Sequence, residues 1–326
     1  MNNRLKSYRI ILDIILIALL LVTFSFTSEC SENYAGDFLS LGAGARALGM
    51  GNAYVVTSDG ATSAYHNPAG LARLKAKQVN LMHSEQFAGL INYNTVSFAA
   101  PLSSDLFMGV TLLHSGIGNI KYTRLLDTTK PLSEDNRPEI ASVEDATDYA
   151  LYLSSAKKMS DKLNIGASVK ILRRSIGPDS AFGFGIDLGM QYSLDSHWGI
   201  GISFNDATGT TVAWDGKAND RIAGTIDTGL SYNGTMPWLG GNYVITGSML
   251  FFGDSPDLKG LNTMNLGGEY LVGDILAFRA GSSRGTGTFG LGLMRLPLIS
   301  SSSFDYAFLS DDGLDSTHRI SMSISF

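Results

Sequence analysis

The feature that most constrains this chain is a two-residue alternation of apolar with small or polar side chains, repeated many times after Lys77. Residues 182–193 alternate Phe, Ile, Leu, Met and Tyr with Gly, Asp, Gln and Ser, and residues 319–326 alternate in the same way. Period two is the signature of β-strands whose two faces meet different surroundings. Beyond residue 77 the chain is therefore predicted to be all-β.

The composition of the polar face separates a soluble sandwich from a membrane barrel. A face that meets water is rich in Lys, Glu and Thr, whereas this face is mostly Gly, Ser, Asn and Asp. Only 17% of the residues are charged and 37 of 326 are Gly, against about 25% charged and about 7% Gly in typical domains. Segments that are apolar outward and small or polar inward indicate a transmembrane β-barrel. The isoelectric point of about 5.3 argues against nucleic acid as a partner.

Counting these segments predicts about 14 antiparallel strands, an even number as in single-chain bacterial barrels. The segments lie near 78–84, 91–100, 105–114, 148–157, 163–173, 181–193, 197–205, 223–232, 242–252, 263–271, 275–282, 287–294, 302–309 and 318–326. The strands near 91–100 and 242–252 alternate poorly, so the count is open by two.

The connections predict which end of the barrel is which. Short turns are expected at 101–104, 159–162, 195–196 and 272–274, and long outer loops at 115–147 and 206–222. The connections 233–241 and 295–301 fall on the short side but are longer than this pattern favours. The chain ends on Phe326, which resembles the C-terminal signal that the barrel-assembly machinery of outer membranes reads.

The N-terminal residues 1–28 predict a signal peptide. A basic start precedes an apolar run that Asp13 interrupts, and small polar residues follow it. A retained anchor is the alternative, although a membrane helix needs about 20 apolar residues. Lipidation of Cys30 also stays open, and Glu29 is an unfavourable residue before a lipidated cysteine. The sequence therefore predicts an exported protein of the outer membrane of a Gram-negative-type bacterium.

Residues 29–77 lack the alternation and are predicted to form a plug inside the barrel. Their many Gly and Ala residues suit close backbone packing, and two short helices are expected. Asn67 is a good N-cap with Pro68 at the first helical position, and Asp59 could cap the turn before it. A barrel of about 14 strands has a lumen wide enough to need such a plug. The domain boundaries are thus 29–77 for the plug and 78–326 for the barrel.

The stretch from Phe38 to Leu71 resembles the N-terminal region of PorV/PorQ-like outer-membrane proteins, which belong to the FadL-like barrel superfamily. The resemblance lies in the residues from Gly44 to Ala53 and from Asn67 to Leu71, which begin with the Asn67-Pro68-Ala69 triplet, the plug motif of FadL-like channels. His66 departs from the family, where Trp is frequent. The motif region covers about a tenth of the chain.

The resemblance implies either transport or protein secretion across the outer membrane. FadL-like members pass long-chain fatty acids or other hydrophobic molecules, and PorV members receive cargo proteins in type IX secretion. The partners it implies are outer-membrane lipid and either hydrophobic small molecules or secreted cargo. A structural barrel without transport is the remaining alternative. The plug-motif residues that it assigns are Arg46, Gly49, Met50, Gly51, Asn67, Pro68, Ala69 and Gly70.

Two motifs that suggest other chemistry are explained by the barrel. Gly42 and Gly44 lack the preceding strand that a dinucleotide fingerprint needs. Residues 281–285 fit the Gly-x-Ser-x-Gly pattern of hydrolases but lie between two strands, where a short outer hairpin is expected. We therefore expect no catalytic residues, no enzyme activity, no cofactor and no metal.

Three expectations concern single positions. Arg46 is the only charge in the first plug motif and is expected to bind wall acids such as Asp187 or Asp227. His66 is expected to pack within the plug. Gly116 and Gly118, just after the third strand, are candidates for a kink that opens the wall to lipid, since glycine in strands marks bulges.

Overall fold

The alternating segments form a closed antiparallel barrel of 14 strands around the N-terminal segment. The computed structural model describes residues 34–87, 89–236, 240–252, 264–296, 299–310 and 316–326. The expected signal peptide 1–28 and Cys30 lie outside these described residues. No helix within the described ranges is long and apolar enough to span a membrane.

The described residues contain 16 strands in chain order. They are β1 (Gln78–Gln86), β2 (Ile91–Pro101), β3 (Leu106–Leu125), β4 (Pro138–Lys158), β5 (Leu163–Ile176), β6 (Asp179–Ser193), β7 (Trp198–Asn205), β8 (Thr210–Trp214), β9 (Asp220–Ile222), β10 (Thr225–Met236), β11 (Gly241–Phe252), β12 (Met264–Val272), β13 (Leu276–Ser283), β14 (Thr286–Leu296), β15 (Ile299–Leu309) and β16 (Thr317–Ser325).

Each barrel strand pairs with its neighbours, and β1 pairs with β16 from Gln78 opposite Ser325 to Glu85 opposite His318, which closes the wall. Strands β8 and β9 are not barrel strands. They form a small hairpin in which β8 pairs with the N-terminal half of β6. We call the end where β1 begins and β16 ends the base, and the opposite end the rim. Closure leaves no open edge at the seam, as a lipid environment requires.

Two predicted loops are shorter than expected. Strand β3 runs to Leu125 and β4 begins at Pro138, so most of the predicted loop 115–147 is a two-stranded ribbon. The predicted loop 206–222 contains β8 and β9. Both faces of the ribbon tip are largely exposed, and a strand with the same surroundings on both faces needs no alternation. For this reason the period-two pattern misses it.

The side chains sort by face as the alternation predicts. Outward positions carry large exposed apolar side chains, whereas inward positions carry buried Gly, Ser, Thr, Asn and a few charges. Near the base, Trp198 packs on Tyr232 with ring centroids 4.9 Å apart, and Tyr243 lies 6.1 Å beyond it. An apolar outer band with aromatic residues at its border is the surface of a barrel that faces lipid.

The N-terminal segment consists of four short helices inside the barrel. They are two 3-10 helices, Tyr34–Leu41 and Pro68–Arg73, and two α-helical turns, Ala45–Gly49 and Ser63–His66. Asn67 caps the second 3-10 helix, since its side chain accepts a hydrogen bond from the Ala69 amide (3.1 Å). Asp59 does not act as the expected cap, because Thr62 is the N-cap of Ser63–His66 and Asp59 faces Arg46.

Candidate functional site

The plug fits the barrel because glycines on the wall leave room for its backbone. A Cβ atom on Gly281 of β13 would lie 2.6 Å from the carbonyl carbon of Met50, and one on Gly201 of β7 would lie 2.6 Å from the Val55 oxygen. Gly49 itself approaches Gly290 of β14 so closely that a Cβ would lie 3.0 Å from its Cα. The wall glycines therefore set the depth at which the plug sits.

Gly51 needs glycine for two separate reasons. Its φ of +62° lies in the left-handed region that side chains disfavour. A Cβ there would also lie 2.6 Å from the Ser282 amide nitrogen of β13. The predicted motif residues Gly49, Met50 and Gly51 thus form the contact between the plug and the wall from β12 to β14.

Arg46 ties the plug to the wall by an ion pair. Its Nε and Nη2 donate to the two carboxylate oxygens of Glu269 on β12, both at 2.8 Å, and its Nη1 donates to Asp59 at 2.9 Å. Burial alone would lower the pKa of Arg46, but the charges of Asp59 and Glu269 outweigh it and hold this pKa well above its usual range. Arg46 therefore stays charged.

The wall continues this ion pair into a buried chain. Glu269 also accepts from Nε of Arg279 on β13 (2.6 Å), and Arg279 lies 2.8 Å from the Asp305 carboxylate on β15. All three wall residues are buried. The prediction that Asp187 binds Arg46 was wrong, because Asp187 pairs with Lys170 (3.2 Å) instead.

Asp227, the other expected partner of Arg46, lies elsewhere on the wall. It belongs to β10 and lines a cavity nearer the rim. The sequence could not choose among the wall acids, because several inward positions carry one and their heights depend on the register.

Asn67 binds the plug to the opposite side of the wall. Its fully buried side-chain amide donates to the carbonyls of Val55 (2.9 Å), Met190 on β6 (3.1 Å) and Ile202 on β7 (3.2 Å). Pro68 follows it against Gly166 of β5, where a Cβ would collide with the Pro68 carbonyl.

The remainder of the second plug motif packs in the same region. Gly70 leaves room for Ser58, since a Cβ would lie 2.7 Å from the Ser58 hydroxyl. Ala69 is fully buried. Gln191 of β6 donates to the Ser58 carbonyl (3.0 Å) and hydroxyl (2.8 Å). The two motifs thus hold the plug at two opposite arcs of the wall.

A buried arginine of β16 holds the first part of the plug. Arg319 donates from Nη2 to the Leu41 carbonyl at 2.6 Å and is 1% exposed. Two residues nearer the base, the Ser321 hydroxyl accepts from the Ala45 amide at 3.1 Å. Polar contacts from β16 therefore hold the plug at Leu41 and at Ala45.

Two cavities lie on either side of the segment from Gly42 to Ala47. The rim cavity has a volume of about 640 Å³ and is lined by residues that include Leu41, Leu48, Tyr65 and Tyr152. The base cavity has about 380 Å³ and is lined by residues that include Arg46. A single layer of plug therefore separates two spaces that open toward opposite ends of the barrel.

His66 packs within the plug. Its Nε2 lies 2.6 Å from the Ala43 carbonyl, and its ring packs on Tyr54 and Tyr65 at centroid distances of 5.0 and 4.8 Å. Burial lowers the pKa of His66 to about 4, although the Ala43 carbonyl partly opposes this. His66 is thus a neutral donor to the plug backbone near pH 7.

The two candidate kink glycines do not lie where the sequence placed them. Gly116 and Gly118 are within β3, not after it, and the ladder between β3 and β4 shifts register between Ile117 and Ile120. Strand β2 pairs with β3 only as far as Gly116. The bulge therefore lies where β3 leaves the wall and continues as the ribbon.

Residues 281–285 form the rim hairpin that the barrel explanation predicts, with β13 ending at Ser283 and β14 starting at Thr286. Functional contacts that the sequence did not reveal are those of Glu269, Arg279 and Arg319. The sequence did carry a signal for them, since each is a charged residue at an inward strand position where the neighbouring inward residues are small.

The fold and the apolar outer band define the class: this is a plugged β-barrel of the Gram-negative outer-membrane type. No family model matches the chain. No curated protein matches it either.

Solved structures share its fold at low identity. The toluene transporter TbuX of Ralstonia pickettii is 12% identical, with a TM-score of 0.58 over 87% of this chain and 98% of that one. The toluene transporter TodX of Pseudomonas putida is 15% identical, with a TM-score of 0.55 over 86% and 96%. A FadL homologue of Pseudomonas aeruginosa is 12% identical, with a TM-score of 0.52 over 87% and 98%. The chain therefore has the FadL-like fold.

Proposed function

We propose that this protein carries small hydrophobic molecules across the outer membrane. The observation that carries the proposal is the pair of cavities separated by the segment from Gly42 to Ala47. A barrel whose role was only structural would need no such division. Apolar side chains such as Leu41 and Leu48 line part of the rim cavity, among a larger number of polar and charged ones, and give a hydrophobic molecule a surface to contact.

The fold neighbours support the choice of cargo. Two of them are described as toluene transporters and one as a FadL homologue. Hydrophobic small molecules are therefore favoured over secreted proteins as the cargo, although the plug motifs resemble those of PorV/PorQ. A role as a type IX secretion accessory is the competing proposal. It is supported by the resemblance of the plug residues between Phe38 and Leu71 alone.

Uptake measurements test the proposal. The full chain, produced in the outer membrane of a host without its own barrel of this fold, should speed the entry of radiolabelled toluene over cells with an empty vector. Palmitate in a parallel assay distinguishes single rings from long chains. Uptake equal to that of the empty vector for both compounds would rule out this function.

Purification in mild detergent separates the two proposals. Mass spectrometry of the purified protein should then find small hydrophobic compounds or lipid. A secreted protein that remains bound in stoichiometric amount, without a hydrophobic compound, would instead support the secretion accessory.

A further inference from the structure

A polar patch interrupts the apolar outer face of the barrel. It is a row of outward side chains that lie directly opposite one another on neighbouring strands, from β1 to β5: His83, Asn94, His114, Tyr149 and Arg173. The row continues on both sides with apolar residues, since His83 lies opposite Ile320 of β16 and Arg173 lies opposite Phe182 of β6. Both apolar side chains are exposed. The polar patch is therefore confined to one sector of the outer face.

The polar patch lies within the height of the lipid-facing band. Counted along its strand from the base, Phe182 lies farther out than every residue of the patch, and it is apolar and 56% exposed. The outward positions next to the patch on the base side of β1, β2 and β3 carry Leu81, Val96 and Leu112, all exposed. Polar side chains on a lipid-facing surface are costly and mark functional sites. The patch therefore needs a polar surface to cover it.

Hydrogen bonds inside the polar patch satisfy only part of it. Nδ1 of His83 donates to Oδ1 of Asn94 at 2.7 Å, and Nδ2 of Asn94 donates to Nδ1 of His114 at 3.4 Å. The His114 ring packs on Tyr149 with centroids 5.0 Å apart. Among the described residues, Nε2 of His114 and the guanidinium of Arg173 have no hydrogen bond or ion pair. The patch thus presents a donor and a cation that its own chain leaves unpaired.

The charges at the two flanks suit a second copy of this chain. Glu85 lies beside the patch on β1, where it is 65% exposed and 3.9 Å from Nε2 of His83. Arg173 lies at the other flank, on β5. Two copies inserted in the same direction are related by a two-fold axis along the membrane normal, which sets each flank of one copy against the opposite flank of the other. An axis along β3 therefore brings the acid of each copy toward the unpaired cation of its partner.

The centre of the polar patch is self-complementary as well. A side-chain amide and an imidazole each donate and accept hydrogen bonds. Asn94 and His114, on β2 and β3, lie nearest such an axis and can pair with the same groups of the second copy. Leu112 of β3, next to His114 on the base side and 42% exposed, supplies an apolar contact there.

We propose that the polar patch is the contact surface of a dimer of this chain in the membrane, with Glu85 of each copy bound to Arg173 of the other. The dimer removes the patch from lipid and pairs a carboxylate with a guanidinium, a strong charge-assisted contact. It leaves the lumen of each barrel unchanged. The inference therefore does not depend on the proposed function.

Charge reversal tests the dimer in lipid vesicles. Native mass spectrometry of the full chain released from the vesicles gives the dimer fraction at increasing protein-to-lipid ratio. Arg173→Glu and Glu85→Arg should each weaken the dimer about tenfold or more, because each sets like charges together at both ends of the interface. Arg295→Glu, at an exposed arginine near the base end of β14, is the control for the change in net charge.

Rescue shows whether the two residues meet between copies. The double variant Glu85→Arg/Arg173→Glu should recover the wild-type dimer, and so should an equal mixture of the two single variants. Within one copy the residues lie on β1 and β5, about 19 Å apart at about 4.8 Å for each strand spacing, and cannot pair. Recovery therefore reports a contact between copies.

A disulfide tests the position of the axis. Leu112→Cys, in a Cys30→Ser background, should form a covalent dimer on oxidation in vesicles. Leu291→Cys on β14, in the same background, is the matched control, because Leu291 is also exposed on the outer face, at 50%. It should stay monomeric.

Three outcomes would overturn the proposal. One is a wild type that stays monomeric at every protein-to-lipid ratio, and another is a dimer that neither charge reversal weakens. The third is a monomer that retains phosphate-containing lipid and loses it in Arg173→Glu, which would assign the patch to a lipid headgroup. Heat-modified mobility in gels verifies that each variant retains the barrel, so that loss of the dimer does not reflect unfolding.

Discussion

At the scale of single residues, the plug is held by a few charged and polar side chains that reach the wall. Arg46 is the clearest case, because it joins Asp59 on the plug to Glu269 on β12. An arginine fork that binds both oxygens of a carboxylate fixes position as well as supplying energy. The ion pair therefore defines where the plug stands along β12.

Arg46→Ala should loosen the plug and make the barrel leak. Removing one partner of a buried ion pair costs up to about 3 kcal/mol, and here Arg279 remains as the partner of Glu269. We expect earlier protease cleavage within 42–76 and faster entry of small polar solutes into proteoliposomes. Lys75→Ala, which removes an exposed cation that also lines the base cavity, is the matched control. Unchanged plug order and permeability in Arg46→Ala would show that Arg46 does not hold the plug.

His66 makes the stability of the plug depend on pH. Its pKa of about 4 lies below the value of 6.5 for the unfolded chain. The unfolded state therefore takes up the proton first, so the contribution of His66 is complete above pH 6.5 and is lost as the pH falls to 4. This contribution is about 3 kcal/mol at most.

The measurement is the free energy of unfolding of wild type and His66→Gln at pH 7 and pH 4.5. Wild type should lose more stability than His66→Gln on acidification, since other groups titrate in both. Equal losses in the two proteins would contradict the role given to His66.

At the scale of elements, the wall strands are shaped to receive the plug. Gly281 of β13 faces the plug backbone at Met50 and Gly51, whereas a Cβ on Gly287 of β14 would meet no atom within 4 Å. The two glycines lie in neighbouring strands and differ mainly in what they face.

Gly281→Ala should therefore displace the plug, and Gly287→Ala should not. Overpacking of this kind costs about 1–3 kcal/mol. Hydrogen exchange of the amides in 45–55 should accelerate in Gly281→Ala and stay as in wild type in Gly287→Ala. The same exchange rates in both variants would mean that the wall glycines do not position the plug.

The sequence could predict the strands better than the contacts between them and the plug. Alternation locates most barrel strands within a few residues, because lipid outside and plug inside impose opposite chemistries on the two faces. It fails for residues 117–125 and 138–145, where the ribbon has solvent on both faces. It also could not select Glu269 as the partner of Arg46, because that choice depends on the register between β12 and the plug.

At the scale of the whole molecule, the outer band of apolar side chains predicts how the protein tolerates charge. Leu291, midway along β14, is 50% exposed on this band. Arg at the middle of a lipid-facing strand costs about 2–4 kcal/mol. Leu291→Arg should therefore destabilise the barrel folded in lipid vesicles by that amount, measured as a smaller free energy of unfolding.

Leu126, which is 64% exposed in the rim loop after β3, is the control. Leu126→Arg should be close to neutral. If Leu291→Arg were equally neutral, the band would not face lipid.

At this scale, transport through the barrel requires the plug segment between the two cavities to move when a molecule passes. A disulfide between Ala45→Cys and Ser321→Cys, in a Cys30→Ser background, would hold that segment on β16, where the Ala45 amide and the Ser321 hydroxyl lie 3.1 Å apart. Cys30→Ser alone is the control. We expect toluene uptake to fall to the empty-vector level when the pair is oxidised and to return when it is reduced. Uptake that is the same in the oxidised and reduced forms would show that toluene passes without movement of this segment.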